Sequence, residues 1–117
     1  MNTILTHRSR APERDQNTDR ARMERLNAAL SAIIEEIRSE EAGLRARYES
    51  EAADASFLEM AQESEGTSKK LDARLEDVTT SLLQSEKRLK NLSLQLTFYA
   101  DKRTSIEAEL KALVEKF

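Results

Sequence analysis

Few residues of this chain could do chemistry. His7 could in principle act as a base or a metal ligand, and the pairs Glu35-Glu36 and Glu40-Glu41 could offer carboxylate oxygens to a hard cation. His7, however, sits in a polar segment without apolar periodicity, where no neighbour would hold it in place. The acid pairs lack the glycine turn and spaced oxygen ligands of a calcium loop, so with Glu49, Glu51 and Glu63 they read as a solvated helix face. The absence of cysteine removes disulfides and thiolate metal sites. A glycine-rich phosphate loop, a nucleophile elbow and a His-Glu-x-x-His helix are also missing. Catalysis needs convergent groups in a concave, partly dry site, and nothing here would build one. The expectation is therefore a protein that is not an enzyme, with no catalytic residue, cofactor, metal or small-molecule substrate.

The elements that would position any functional residue are helices. Ala, Glu, Leu, Arg and Lys supply 65 of the 117 residues, against two Gly and one Pro. A share near one half from these five residues marks coiled coils and long helices. With 19 basic and 22 acidic residues the net charge is −3, which offers no general field for nucleic acid or anionic lipid. The mildly basic start carries Arg8, Arg10, Arg14, Arg20, Arg22 and Arg25 against Glu13, Asp15, Asp19 and Glu24. The chain has neither the apolar core of a secretion signal at its start nor any stretch approaching the ~20 apolar residues of a membrane span. It reads as intracellular and cytoplasmic, with a nuclear location left open. The Asn91-Leu92-Ser93 sequon carries no weight in that setting.

Residues 1–16 hold Pro12 and read as a flexible N-terminal arm; a first helix is expected over 17–64, with Asn17 or Thr18 as its cap. Pro12 as a first-turn proline would start that helix earlier. Met23, Leu26, Leu30, Ile33, Ile37 and Leu44 follow three-four spacing, with Ile34 and Tyr48 widening the stripe. Beyond Leu44 the phase slips to Phe57, Leu58, Met60 and Ala61, and Gly43 is the expected weak point. Glu65-Gly66-Thr67-Ser68 reads as a turn, Gly66 taking a left-handed position and Ser68 capping a second helix over 69–117. Arms of similar length suit an antiparallel hairpin, so the fold class is all-α, a long antiparallel helical hairpin or coiled coil, expected to oligomerise. The competing architecture is one bent helix dimerised in parallel, because Glu63 and Glu65 precede the turn and Lys69 and Lys70 follow it, each the wrong sign for the helix dipole.

The second half is the more regular. Leu71, Leu75, Val78, Leu82, Ser85, Leu89, Leu92, Leu96, Tyr99, Arg103, Ile106, Leu110, Leu113 and Phe117 alternate four and three, and Ser85 and Arg103 alone among the fourteen are neither apolar nor aromatic. This stripe is the candidate interaction seam. Arg103 could set register by pairing with Glu36 or Glu40 on the opposite helix, or simply reach past the seam to solvent. Flanking it, Arg74, Arg88, Lys102 and Lys116 line one shoulder and Asp72, Glu86 and Glu107 the other, a pattern that favours a defined partner orientation. Leu92 to Phe98 alternates apolar and polar like a strand, but the heptads run unbroken on both sides, so helix is expected. On a helix Leu83, Leu94 and Phe98 would then lie outside the stripe, as a second contact or a wider seam.

These features point to a non-enzymatic coiled-coil interaction protein, a subunit, adaptor or tether whose partner is protein, either further copies of itself or a helical subunit. The alternative is a dimeric regulatory protein binding nucleic acid through the Arg-containing arm, although interleaved acids and scarce aromatics weigh against it. In length, hairpin plan and lack of cofactor motifs the chain resembles the small coiled-coil hairpin stalk and chaperone proteins of bacterial flagellar and type III secretion export, a plan shared with many tethering and cytoskeletal subunits. That resemblance implies an export-apparatus role as a third expectation.

Overall fold

The computed structural model describes the backbone of residues 2–115 and the side chains of residues 12–115. The fold is all-α: helix α1 spans Asn2–Glu65, helix α2 spans Lys69–Glu115, and three residues join them in an antiparallel helical hairpin. Strong helix formers interrupted by so few glycines and prolines leave the backbone little reason to break anywhere else. Lys116 and Phe117, and the side chains of His7, Arg8 and Arg10, lie outside the described residues.

The turn forms for local reasons. Gly66 adopts φ +81°, a left-handed conformation that costs glycine nothing. The Ser68 hydroxyl accepts a hydrogen bond from the Leu71 amide at 3.1 Å, and the Ser68 carbonyl accepts the first helical bond from the Asp72 amide at 2.9 Å. Gln62 at the end of α1 donates to the Asp72 carboxylate at 2.8 Å, and Asp72 lies in the first turn of α2, where a negative charge suits the dipole. An N-cap is worth roughly 0.5–2 kcal/mol, whereas an exposed charge against a helix dipole costs about 0.3–1 kcal/mol. The four wrong-signed charges Glu63, Glu65, Lys69 and Lys70 together rival one cap, so the turn rests on the left-handed Gly66, the Ser68 cap and the Gln62–Asp72 bond acting together, and the single bent helix gives way to the hairpin.

The start of α1 departs from the sequence reading. Helix already runs from Asn2, so in place of a 16-residue arm Pro12 lies inside α1, and Asn17 and Thr18 are interior residues and not caps. Thr18 Oγ1 donates back to the Arg14 carbonyl at 2.9 Å, the back-bond of a threonine within a helix. The Leu92–Phe98 alternation is helical throughout: Leu92 is fully buried and Leu96 half-buried, while Leu94 and Phe98 are exposed. Side chains four apart share a helix face, so a period of two over seven residues becomes one inward and one outward pair.

The chain divides into two compact units. In the turn unit, Glu36–Leu96, Ile37, Leu58, Leu92 and Ser85 are buried. In the terminal unit, Met1–Glu35 with Thr97–Phe117, Leu30 and Ile34 are the buried apolar side chains among the described residues. Among the described residues no helix is long and apolar enough to cross a membrane.

Candidate interaction surfaces

On α2 the described seam positions from Leu71 to Leu113 are all buried or half-buried, with Leu92 and Ser85 the most enclosed. The inner face of α1 follows the same spacing but is hidden in the sequence. Gln16, Arg20, Met23, Asn27, Leu30, Ile34, Ile37, Glu41, Leu44, Tyr48, Glu51, Ala55, Leu58 and Gln62 alternate four and three without a slip, and each is buried or half-buried. Only six of these fourteen are Leu, Ile or Met, so a search for apolar periodicity loses the phase. Leu26, Phe57 and Met60, which it recruits instead, are 51%, 70% and 62% exposed, and Ile34, not Ile33, is the fully buried residue. No signal in the order of residues separates these inward polar residues from the solvated ones on the same helix.

In the turn unit the polar residues on and beside this face find partners. Tyr48 donates its hydroxyl to Glu86 at 2.6 Å, and the Ser81 hydroxyl donates to Glu51 at 2.7 Å. Arg88 grips Glu40 through two bonds, Nε to Oε2 at 2.6 Å and Nη2 to Oε1 at 3.0 Å. Glu41 is held on its own helix by Arg45 at 3.7 Å. The pairs Glu40–Arg88, Tyr48–Glu86, Glu51–Ser81 and Gln62–Asp72 climb α1 as they descend α2, which defines the antiparallel register of this unit. The Arg88 hydrogen bonds hold the Glu40 carboxyl below its ordinary range, with desolvation opposing and the guanidinium charge assisting. The hydrogen bond to Glu86, then desolvation and the carboxylate charge, push the Tyr48 phenol above its ordinary value.

In the terminal unit Gln16 donates its amide to the Leu113 carbonyl at 2.6 Å, satisfying one of the last carbonyls of α2. Arg20 Nε and Asn27 Oδ1 are buried there without a hydrogen-bond partner among the described residues. Arg103 lies 3.8 Å from Glu107 on the next turn of its own helix, where a long side chain reaches its neighbour, while in the turn unit Glu40 is held by Arg88. Lys102 sits 5.2 Å over the Phe98 ring, and Phe98 meets Tyr99 edge-on at 5.3 Å.

Two outward features remain. Leu83, Leu94 and Phe98, the residues read as a second contact, are 61%, 64% and 55% exposed. An open groove of about 480 Å³ in the turn unit is lined by Ser39, Glu40, Gly43, Leu44, Arg47 and Arg88. Gly43 forms part of it inside α1, and a Cβ built there would meet nothing within 4 Å. Glycine within a helix costs roughly 1 kcal/mol relative to alanine, and no packing within the chain requires it at this position. No set of three or more His, Cys, Asp or Glu among the described residues could hold a metal ion. No family model, curated protein or solved structure matches this chain.

Proposed function

We propose that the chain is a non-enzymatic coiled-coil interaction protein, a subunit, adaptor or tether that acts by pairing its helices with a protein partner. One observation carries this reading: among the described residues seven large apolar side chains, Leu26, Phe57, Met60, Leu83, Leu94, Phe98 and Val114, are more than half exposed, whereas five apolar side chains are buried. Two helices can cover only one strip of each other, and a third or fourth helix is the usual way to enclose what is left. Burying one such side chain is worth roughly 1.5–3 kcal/mol, so a handful is enough to drive association. Gentle purification of the tagged chain from its native cells, followed by mass spectrometry and native mass measurement, tests the reading. A stoichiometric protein partner or a defined homo-oligomer is expected. A monomer that brings nothing with it would sink the proposal.

A further inference from the structure

The groove beside Gly43 has the charge pattern of a surface that recognises its own copy. Glu40 lies three residues before Gly43 and Arg47 four after it, so all three share one face of α1. Glu40 is 47% exposed despite its bond to Arg88, and a carboxylate has lone pairs beyond the two that Arg88 uses. Arg47 is exposed and has no hydrogen-bond or ion-pair partner among the described residues. Reversing a helix about a two-fold axis through Gly43 brings Glu40 of one copy beside Arg47 of the other, and the reciprocal pair with it. The mismatch is about one residue, ~1.5 Å along the axis, well within the reach of an arginine. A parallel arrangement would instead oppose Glu40 to Glu40 and Arg47 to Arg47. The missing Cβ at Gly43 lets two backbones approach at the crossing, and half-buried Leu44 offers apolar surface beside it.

We infer that this groove is an isologous docking site for a second copy of the chain, with α1 crossing α1 antiparallel at Gly43 and two Glu40–Arg47 pairs flanking the crossing. The inference rests on the helix-pairing reading and specifies its partner. Because the charges lie at an open rim, they set orientation and make the association weaken as salt rises.

Sedimentation equilibrium of the full chain at low salt tests it. The wild type should form a reversible dimer, and Arg47→Glu or Glu40→Lys alone should weaken it at least about tenfold, since each sets like charges against each other across the axis. An equimolar mixture of the two variants should regain the association as a heterodimer, because Glu40 then meets Arg47 and the new glutamate meets the new lysine. Gly43→Leu should weaken the dimer while raising the melting temperature of the helices, a split that a purely structural glycine would not produce. A monomeric wild type, a dimer indifferent to Arg47→Glu, or a mixture no tighter than its components would overturn the inference. A monomeric chain that nevertheless binds a different helical protein would remove this site and leave the helix-pairing reading intact.

Discussion

The turn unit and the terminal unit both place polar residues on or beside an inner helix face, yet treat them differently. In the turn unit Glu40, Tyr48, Glu51 and Gln62 each reach a named group on α2. In the terminal unit Gln16 does the same, but Arg20 Nε and Asn27 Oδ1 stay buried with no hydrogen-bond partner among the described residues. A polar group inside a helical layer stabilises it only when its partner comes with it; without that partner it carries a desolvation cost of roughly 1–3 kcal/mol. The same class of residue therefore helps one unit hold its register and weakens the other.

Substitutions at the buried apolar positions should have the largest effects and should level the contrast. Ile34→Asp in the terminal unit and Leu92→Asp in the turn unit each put a carboxylate where no solvent reaches, and each should cost roughly 4 kcal/mol or more, read as loss of cooperative melting by circular dichroism. Wild-type melting in either variant would show that its unit does not depend on that contact.

Replacing inner polar residues by apolar ones should expose the contrast itself. Arg20→Met and Asn27→Leu are expected to stabilise by about 1 kcal/mol or more, because each removes an unpaired buried atom. Glu51→Leu should do the reverse, losing about 1 kcal/mol by stranding the part-buried Ser81 hydroxyl. Equal signs for the two units would abolish the distinction. Gln16→Ala should cost roughly 0.5–1.5 kcal/mol and act locally, by speeding amide exchange in the last turn of α2.

The smallest effects are those of pH, and they belong to the turn unit. Glu40 titrates below its ordinary 4.5 in the folded chain, so its contribution is present above that value and is lost as pH falls through the lower folded value. Tyr48 titrates above its ordinary 10.0, so its contribution is present below pH 10 and is lost as pH rises through the higher folded value. Melting curves of Arg88→Met should lose the acid step and those of Tyr48→Phe the alkaline one. A variant that keeps its step would show that the pair does not carry it.

Legibility follows the apolar content of each helix. The α2 inner face is readable because leucine recurs on it at the four-three spacing, and the turn is readable because Gly66 and Ser68 have strong conformational roles of their own. The α1 face is not, since Arg20, Asn27, Glu41, Glu51 and Gln62 are residues that a solvent-facing reading takes at face value. Nothing in the order of residues marks a glutamate as inward-facing unless its partner is known. For the same reason Glu40 is a sound partner for Arg103 by charge, although Arg88 holds Glu40 in two bonds.

By itself the sequence determined that the chain would be helical, where it would turn and which face of α2 would turn inward. Those properties arise from backbone propensity, capping and periodicity, all of which act within a few residues. Only the tertiary structure decided which polar residues of α1 face inward, which of them find partners, and that Phe57 and Met60 remain in solvent. These outcomes depend on what another helix presents across a few ångströms, a relation between residues up to 97 positions apart that no local pattern contains.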